Sequence, residues 1–148
     1  MLINRVLSVL VVVSSVSIAG EVALEKESAN AFYAARSPFV LLRDLKLLHV
    51  WNPGFSGKII LPPYNRKVQG NWITREQALE LLRMSGDETP CLRAVNPLAS
   101  VSLDGPSTVG SEALRLVLGF LDGAYPPVAP GQLDAEVLLR RVQGLEIE

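Results

Sequence analysis

Apolar residues recur at helical spacing in four stretches of this chain, and each stretch predicts an amphipathic helix. The clearest begins at Thr74, where Gln77 follows at the position that a capping box requires. Another begins with Ser37 and Pro38, because serine is a good N-cap and proline suits the first helical residue. A weaker pattern over 21–36 favours a modest helix or an ordered leader. The four predicted helices span about 38–49, 74–86, 110–121 and 134–142.

Short apolar runs between these helices predict strands. The run from Lys58 to Leu61 is the clearest, and it stops at Pro62-Pro63 because proline cannot continue a strand ladder. The other predicted strands cover 67–73, 91–95 and 100–103. This alternation predicts an α+β fold, a small mixed sheet with helices packed on one face.

Two of the predicted helices resemble each other in sequence. Residues 74–82 and 109–117 share the pattern Ala-Leu-x-Leu, and a glycine follows each helix. One interpretation is a pair of related strand–helix units that repeat over 40–86 and 100–123. The other is a chance similarity between two amphipathic helices.

A proline-containing segment predicts a boundary between two parts of the chain. We expect residues 20–123 to form the α+β domain and residues 124–131, which contain three prolines, to form a stiff linker. Residues 132–148 then hold a short helix and a tail. Because so short a helix is marginally stable alone, it must pack on this domain, on another copy or on a partner.

Residues 1–19 have the organisation of a secretory signal peptide. Arg5 precedes an apolar run that starts at Val6, and Ser17 and Ala19 place small residues at the positions that signal peptidase recognises. We therefore expect cleavage near Ala19 and a periplasmic protein. An uncleaved anchor is the alternative, although the apolar stretch of about 15 residues is shorter than the roughly 20 of a spanning helix. A buried N-terminal strand is the third interpretation.

Charge and reactive residues exclude more functions than they assign. A net charge of -1 over 148 residues gives no electrostatic footprint for nucleic acid. One histidine, His49, and one cysteine, Cys91, cannot close a tetrahedral metal site. We expect no catalytic, cofactor-binding or metal residues, and no enzyme. Cys91 is expected to be a small buried hydrophobe, with an intermolecular disulfide or a catalytic thiol as the alternatives.

One segment, Val40 to Gly86, combines an apolar helix, a Gly57-Lys58 strand and an Ala-Leu helix that ends in glycine. It resembles the short N-terminal (STN) domain shared by bacterial outer-membrane secretins and TonB-dependent transducing receptors. The resemblance implies a small β-α-β domain that contacts other envelope proteins and is not an enzyme. Pro62-Pro63 departs from the family pattern. The matching stretches are 42–45, 53–61, 68–74 and 76–86.

These observations predict an exported protein–protein interaction module, an accessory of a bacterial secretion, pilus or transport machine. Its partner would be an envelope or outer-membrane machinery protein, with membrane association through partners or an uncleaved N-terminal segment. Lys58–Leu61 is the predicted edge strand, because sheet edges are templates for strand addition. The candidate interface comprises Phe55, Lys58, Ile59, Ile60, Leu61 and Trp72. The alternative is a periplasmic ligand binder, for example for cell-wall glycan, that uses Trp51, Tyr64 and Trp72.

Overall fold

The computed structural model describes residues 22–23, 28–51, 57–99, 106–128 and 133–145, and it confirms the α+β class. The predicted signal peptide lies outside these residues. The helices are α1 (Ala29–Ala34), α2 (Pro38–Trp51), α3 (Arg66–Gln69), α4 (Arg75–Arg83), α5 (Val109–Asp122) and α6 (Ala135–Gln143). The strands are β1 (Val22–Ala23), β2 (Lys58–Ile60), β3 (Tyr64–Asn65), β4 (Pro90–Cys91), β5 (Arg93–Val95), β6 (Ser107–Thr108) and β7 (Ala124–Tyr125).

The four predicted amphipathic helices are confirmed as α2, α4, α5 and α6. Their ends carry the local interactions that the sequence indicates. The Thr74 hydroxyl accepts a hydrogen bond from Gln77 N, and the Gln77 side chain accepts one from Thr74 N, which completes the capping box. The Ser37 hydroxyl accepts from Val40 N at the start of α2. Gly123 ends α5 with φ 71°, a left-handed conformation that glycine adopts without steric cost.

The apolar stripes of these helices meet in one core. In α2, the predicted stripe is buried: Leu41, Leu42, Leu45 and Leu48. Helix α2 packs on β4 and α5, while α4 packs on α5. The core therefore lies between the helices and the small sheets, and it includes the buried β2 residue Ile59 and its neighbour Leu61.

The predicted strand over 67–73 is wrong, because its first residues form α3. The Asn65 side chain accepts from Lys67 N at 2.9 Å and so caps this helical turn. Gly70 then ends it with φ 76°. Val68 is 70% exposed, so the loose apolar alternation in this stretch does not reflect a buried strand face.

The strands form three separate small sheets instead of one mixed sheet. Strands β1, β2 and β5 form a parallel sheet with β2 in the middle. Strand β3 pairs antiparallel with β7, and β4 pairs antiparallel with β6. The parallel sheet brings together segments that are far apart in the sequence.

The two similar helices do not follow equivalent strands. Helix α5 comes directly after β6, whereas α4 comes after α3 and a short connection. The strand predicted over 100–103 lies outside the described residues. The described part of the chain thus shows two similar helices that pack on each other in different local settings.

The C-terminal helix packs on its own domain. Leu138 and Val142 of α6 are buried, and α6 contacts both α4 and α5. Arg75 Nε also donates to the Val142 carbonyl at 3.3 Å. The segment expected to be a linker begins with β7, whose Tyr125 is fully buried, so the packed domain extends beyond residue 123.

Candidate functional site

The parallel sheet uses alternate residues of β5 to bind β2. Arg93 N donates to the Gly57 carbonyl at 2.7 Å, and Leu61 N donates to the Val95 carbonyl at 3.1 Å. Backbone N–H and C=O groups of successive residues point alternately to the two sides of a strand. Those of Arg93 and Val95 face β2, so those of the neighbouring residues point away from it. The outer edge of β5 is therefore defined by Leu92, Ala94 and Asn96.

Three other parts of the chain occupy this outer edge. Leu92 N donates to the Leu45 carbonyl of α2 at 3.1 Å. Ala94 N donates to Glu112 Oε2 of α5 in a long bond of 3.5 Å. The Asn96 side-chain amide donates to the Pro126 carbonyl at 2.8 Å. These bonds close the β5 edge to an incoming strand.

The other edge of the sheet is β1, and no described strand pairs with its outer side. This arrangement corrects the predicted edge. Lys58–Ile60 is the central strand, with β1 on one side and β5 on the other, so it is not itself a free edge. The sequence analysis missed this because it interpreted residues 21–36 as a modest helix or an ordered leader, so it expected no strand beside Lys58–Ile60.

The predicted interface residues do not form one exposed surface. Ile59 and Leu61 are buried core residues, and Lys58 and Ile60 are partly exposed. Trp72 lies between α3 and α4, partly buried in a group of aromatic rings. Phe55 lies outside the described residues.

Trp72 belongs to an aromatic cluster that also contains Phe32, Tyr33 and Tyr125, which the sequence analysis did not connect with it. Its ring centroid lies 4.5 Å from that of Tyr33 and 5.5 Å from that of Tyr64. Such offset and edge-to-face pairs add to the energy of burial. The cluster joins α1, β3, β7 and the segment before α4, and its members are Phe32, Tyr33, Tyr64, Trp72 and Tyr125.

Hydrogen bonds at the rim of the cluster fix its rings. Trp72 Nε1 donates to the Arg36 carbonyl at 2.7 Å, and Trp72 N donates to the Tyr64 hydroxyl at 3.1 Å. The Tyr33 hydroxyl donates to the Pro62 carbonyl at 2.6 Å, and burial raises the pKa of Tyr33 well above its ordinary value. The cluster therefore has a structural role, because it holds together segments that are distant in the sequence.

The positions of the aromatic rings also argue against the glycan-binding alternative. Tyr64 is buried and Trp72 is partly buried against it, whereas Trp51 is 45% exposed at the end of α2. The three rings do not form a common stacking platform.

Glu112, which closes the β5 edge, is fully buried on α5. Its Oε1 accepts from Arg115 Nη1 at 3.1 Å, one turn further along the helix. Burial raises the pKa of Glu112, and the nearby Arg115 guanidinium opposes the rise. The pair satisfies two buried charges with each other and connects α5 to β5.

Cys91 is a free, buried cysteine close to this carboxylate. Burial raises its pKa to about 12, and the Glu112 carboxylate adds to the rise. A thiol with such a pKa stays protonated at neutral pH and is a poor nucleophile. This setting agrees with the expectation of a small buried hydrophobe.

A second buried ionic group connects α1 to α2. Arg36 Nε lies 4.0 Å from Asp44 Oδ2, and Arg43 Nη2 lies 3.3 Å from Asp44 Oδ1. The Arg36 guanidinium also covers the Phe32 ring, 4.1 Å from its centroid. A cavity of about 10 Å³ lies beside this group, against Ile59 of β2. That volume matches about one water molecule, too small for an organic ligand.

Within the described ranges, no group of three or more histidine, cysteine or acidic side chains is placed to hold a metal ion. No helix of these ranges is both long and apolar enough to cross a membrane. Large apolar side chains are exposed at the end of α2, where Val50 is 63% exposed beside Trp51. No protein-family model, curated protein or solved structure matches this chain.

Proposed function

We propose that this chain is an exported envelope protein whose folded domain binds another protein, as an accessory of a bacterial secretion, pilus or transport machine. The signal-peptide pattern of residues 1–19 supports export. The resemblance of Val40–Gly86 to STN domains supports an envelope partner. The observation that carries the proposal is the difference between the two edges of the parallel sheet.

Natural proteins protect sheet edges, because unpaired N–H and C=O groups are templates for another strand. Here the β5 edge is closed by bonds from Leu45, Glu112 and Pro126. The β1 side has no such closure among the described residues. Strand addition by a partner therefore takes place on the β1 side, where main-chain hydrogen bonds give affinity.

Export is tested by the intact mass of the protein in cell fractions, after expression of the full precursor in a Gram-negative host. A periplasmic species that starts at Gly20 is the expected result. A full-length species in the inner membrane would mean that residues 1–19 anchor the protein uncleaved, and the proposal of an envelope partner would stand. A full-length cytosolic species would overturn the proposed function.

The interaction is tested by site-specific photo-crosslinking in living cells. A photo-reactive phenylalanine analogue replaces Ala23 in β1, and the matched control places it at Leu98, which is 77% exposed beyond the closed β5 edge. We expect crosslinks to an envelope protein from position 23 and none from position 98. Equal yields at both positions, or crosslinks from position 98 alone, would contradict the proposed docking edge.

A further inference from the structure

We draw no further inference here: the strongest candidate, the exposed apolar patch of Val50 and Trp51 at the end of α2, carries none, because nothing in the described part of the chain shows what covers it.

Discussion

Gly110 lies where the start of α5 meets the turn after α4. Its backbone N–H donates to the Asp87 carbonyl at 2.8 Å. A Cβ atom at this position would lie 2.8 Å from the Ser85 carbonyl carbon and 2.9 Å from the Asp87 carbonyl oxygen. Real side chains do not approach backbone atoms so closely, so only glycine allows this helix start to pack here.

Gly110→Ala should therefore lower the free energy of unfolding by about 1–3 kcal/mol, the usual cost of forcing atoms into a packed site. Gly86→Ala is the matched control, because no atom lies within 4 Å of its added methyl group. Its effect should stay within about 0.5 kcal/mol. Urea denaturation measures both, and equal destabilisation by the two variants would contradict this account of Gly110.

Glu112 makes the stability of the domain depend on pH. Its pKa is raised from an ordinary value of 4.5, so the folded state holds the proton more tightly than the unfolded state. This contribution is fully present below the unfolded pKa and is lost as the pH rises through the folded pKa. The lowered pKa of Asp87 acts below 3.8 and the raised pKa of Cys91 acts above 9.0, so neither shares this window.

We expect the free energy of unfolding to fall as the pH rises above 4.5, the ordinary pKa of this carboxyl, and Glu112→Gln to flatten that slope. The variant removes the titrating carboxyl, so the slope of stability against pH, and not the level of stability, is the readout. Urea denaturation at a series of pH values supplies it. A wild-type slope of zero, or the same negative slope in both proteins, would contradict the prediction.

At the scale of the elements, a variant in α6 can test whether the C-terminal segment belongs to the folded domain. Leu138 is 2% exposed, whereas the adjacent Val137 is 49% exposed. Leu138→Ala should lower the free energy of unfolding by about 2–5 kcal/mol, since it removes buried methyl groups and leaves a cavity. Val137→Ala, the matched control, should change it by less than about 0.5 kcal/mol. A negligible effect of Leu138→Ala in urea denaturation would mean that α6 does not pack in cis in solution.

The helices were predictable because their signals are local. Ser37 and Thr74 cap through neighbours within three residues, and Gly123 ends α5 through its own backbone conformation. Helix α3 was not predicted, because its stretch was interpreted as a strand and Val68 supplied apolar character at an exposed position. The capping asparagine, Asn65, was the signal that could have identified it.

The sheet edges were not predictable, because they depend on contacts between distant parts of the chain. The acceptors that close β5 come from residues 45, 112 and 126, and none of these positions carries a strand signal. The sequence correctly placed a strand at Lys58, yet nothing in that strand shows which neighbours it has. Likewise, Trp72 was identified as important while its partners Tyr33 and Tyr125 were not.

For the domain as a unit, the closure of the β5 edge sets a limit on assembly. A sheet that can be extended at both edges can link molecules into open-ended filaments, whereas one that grows on a single side cannot propagate. Two molecules that met through their β1 sides would form a closed pair, and a foreign strand would form a complex with one partner. Under the proposed strand addition, Glu112, by accepting a hydrogen bond from Ala94 N, helps to keep the β5 edge from taking a second strand.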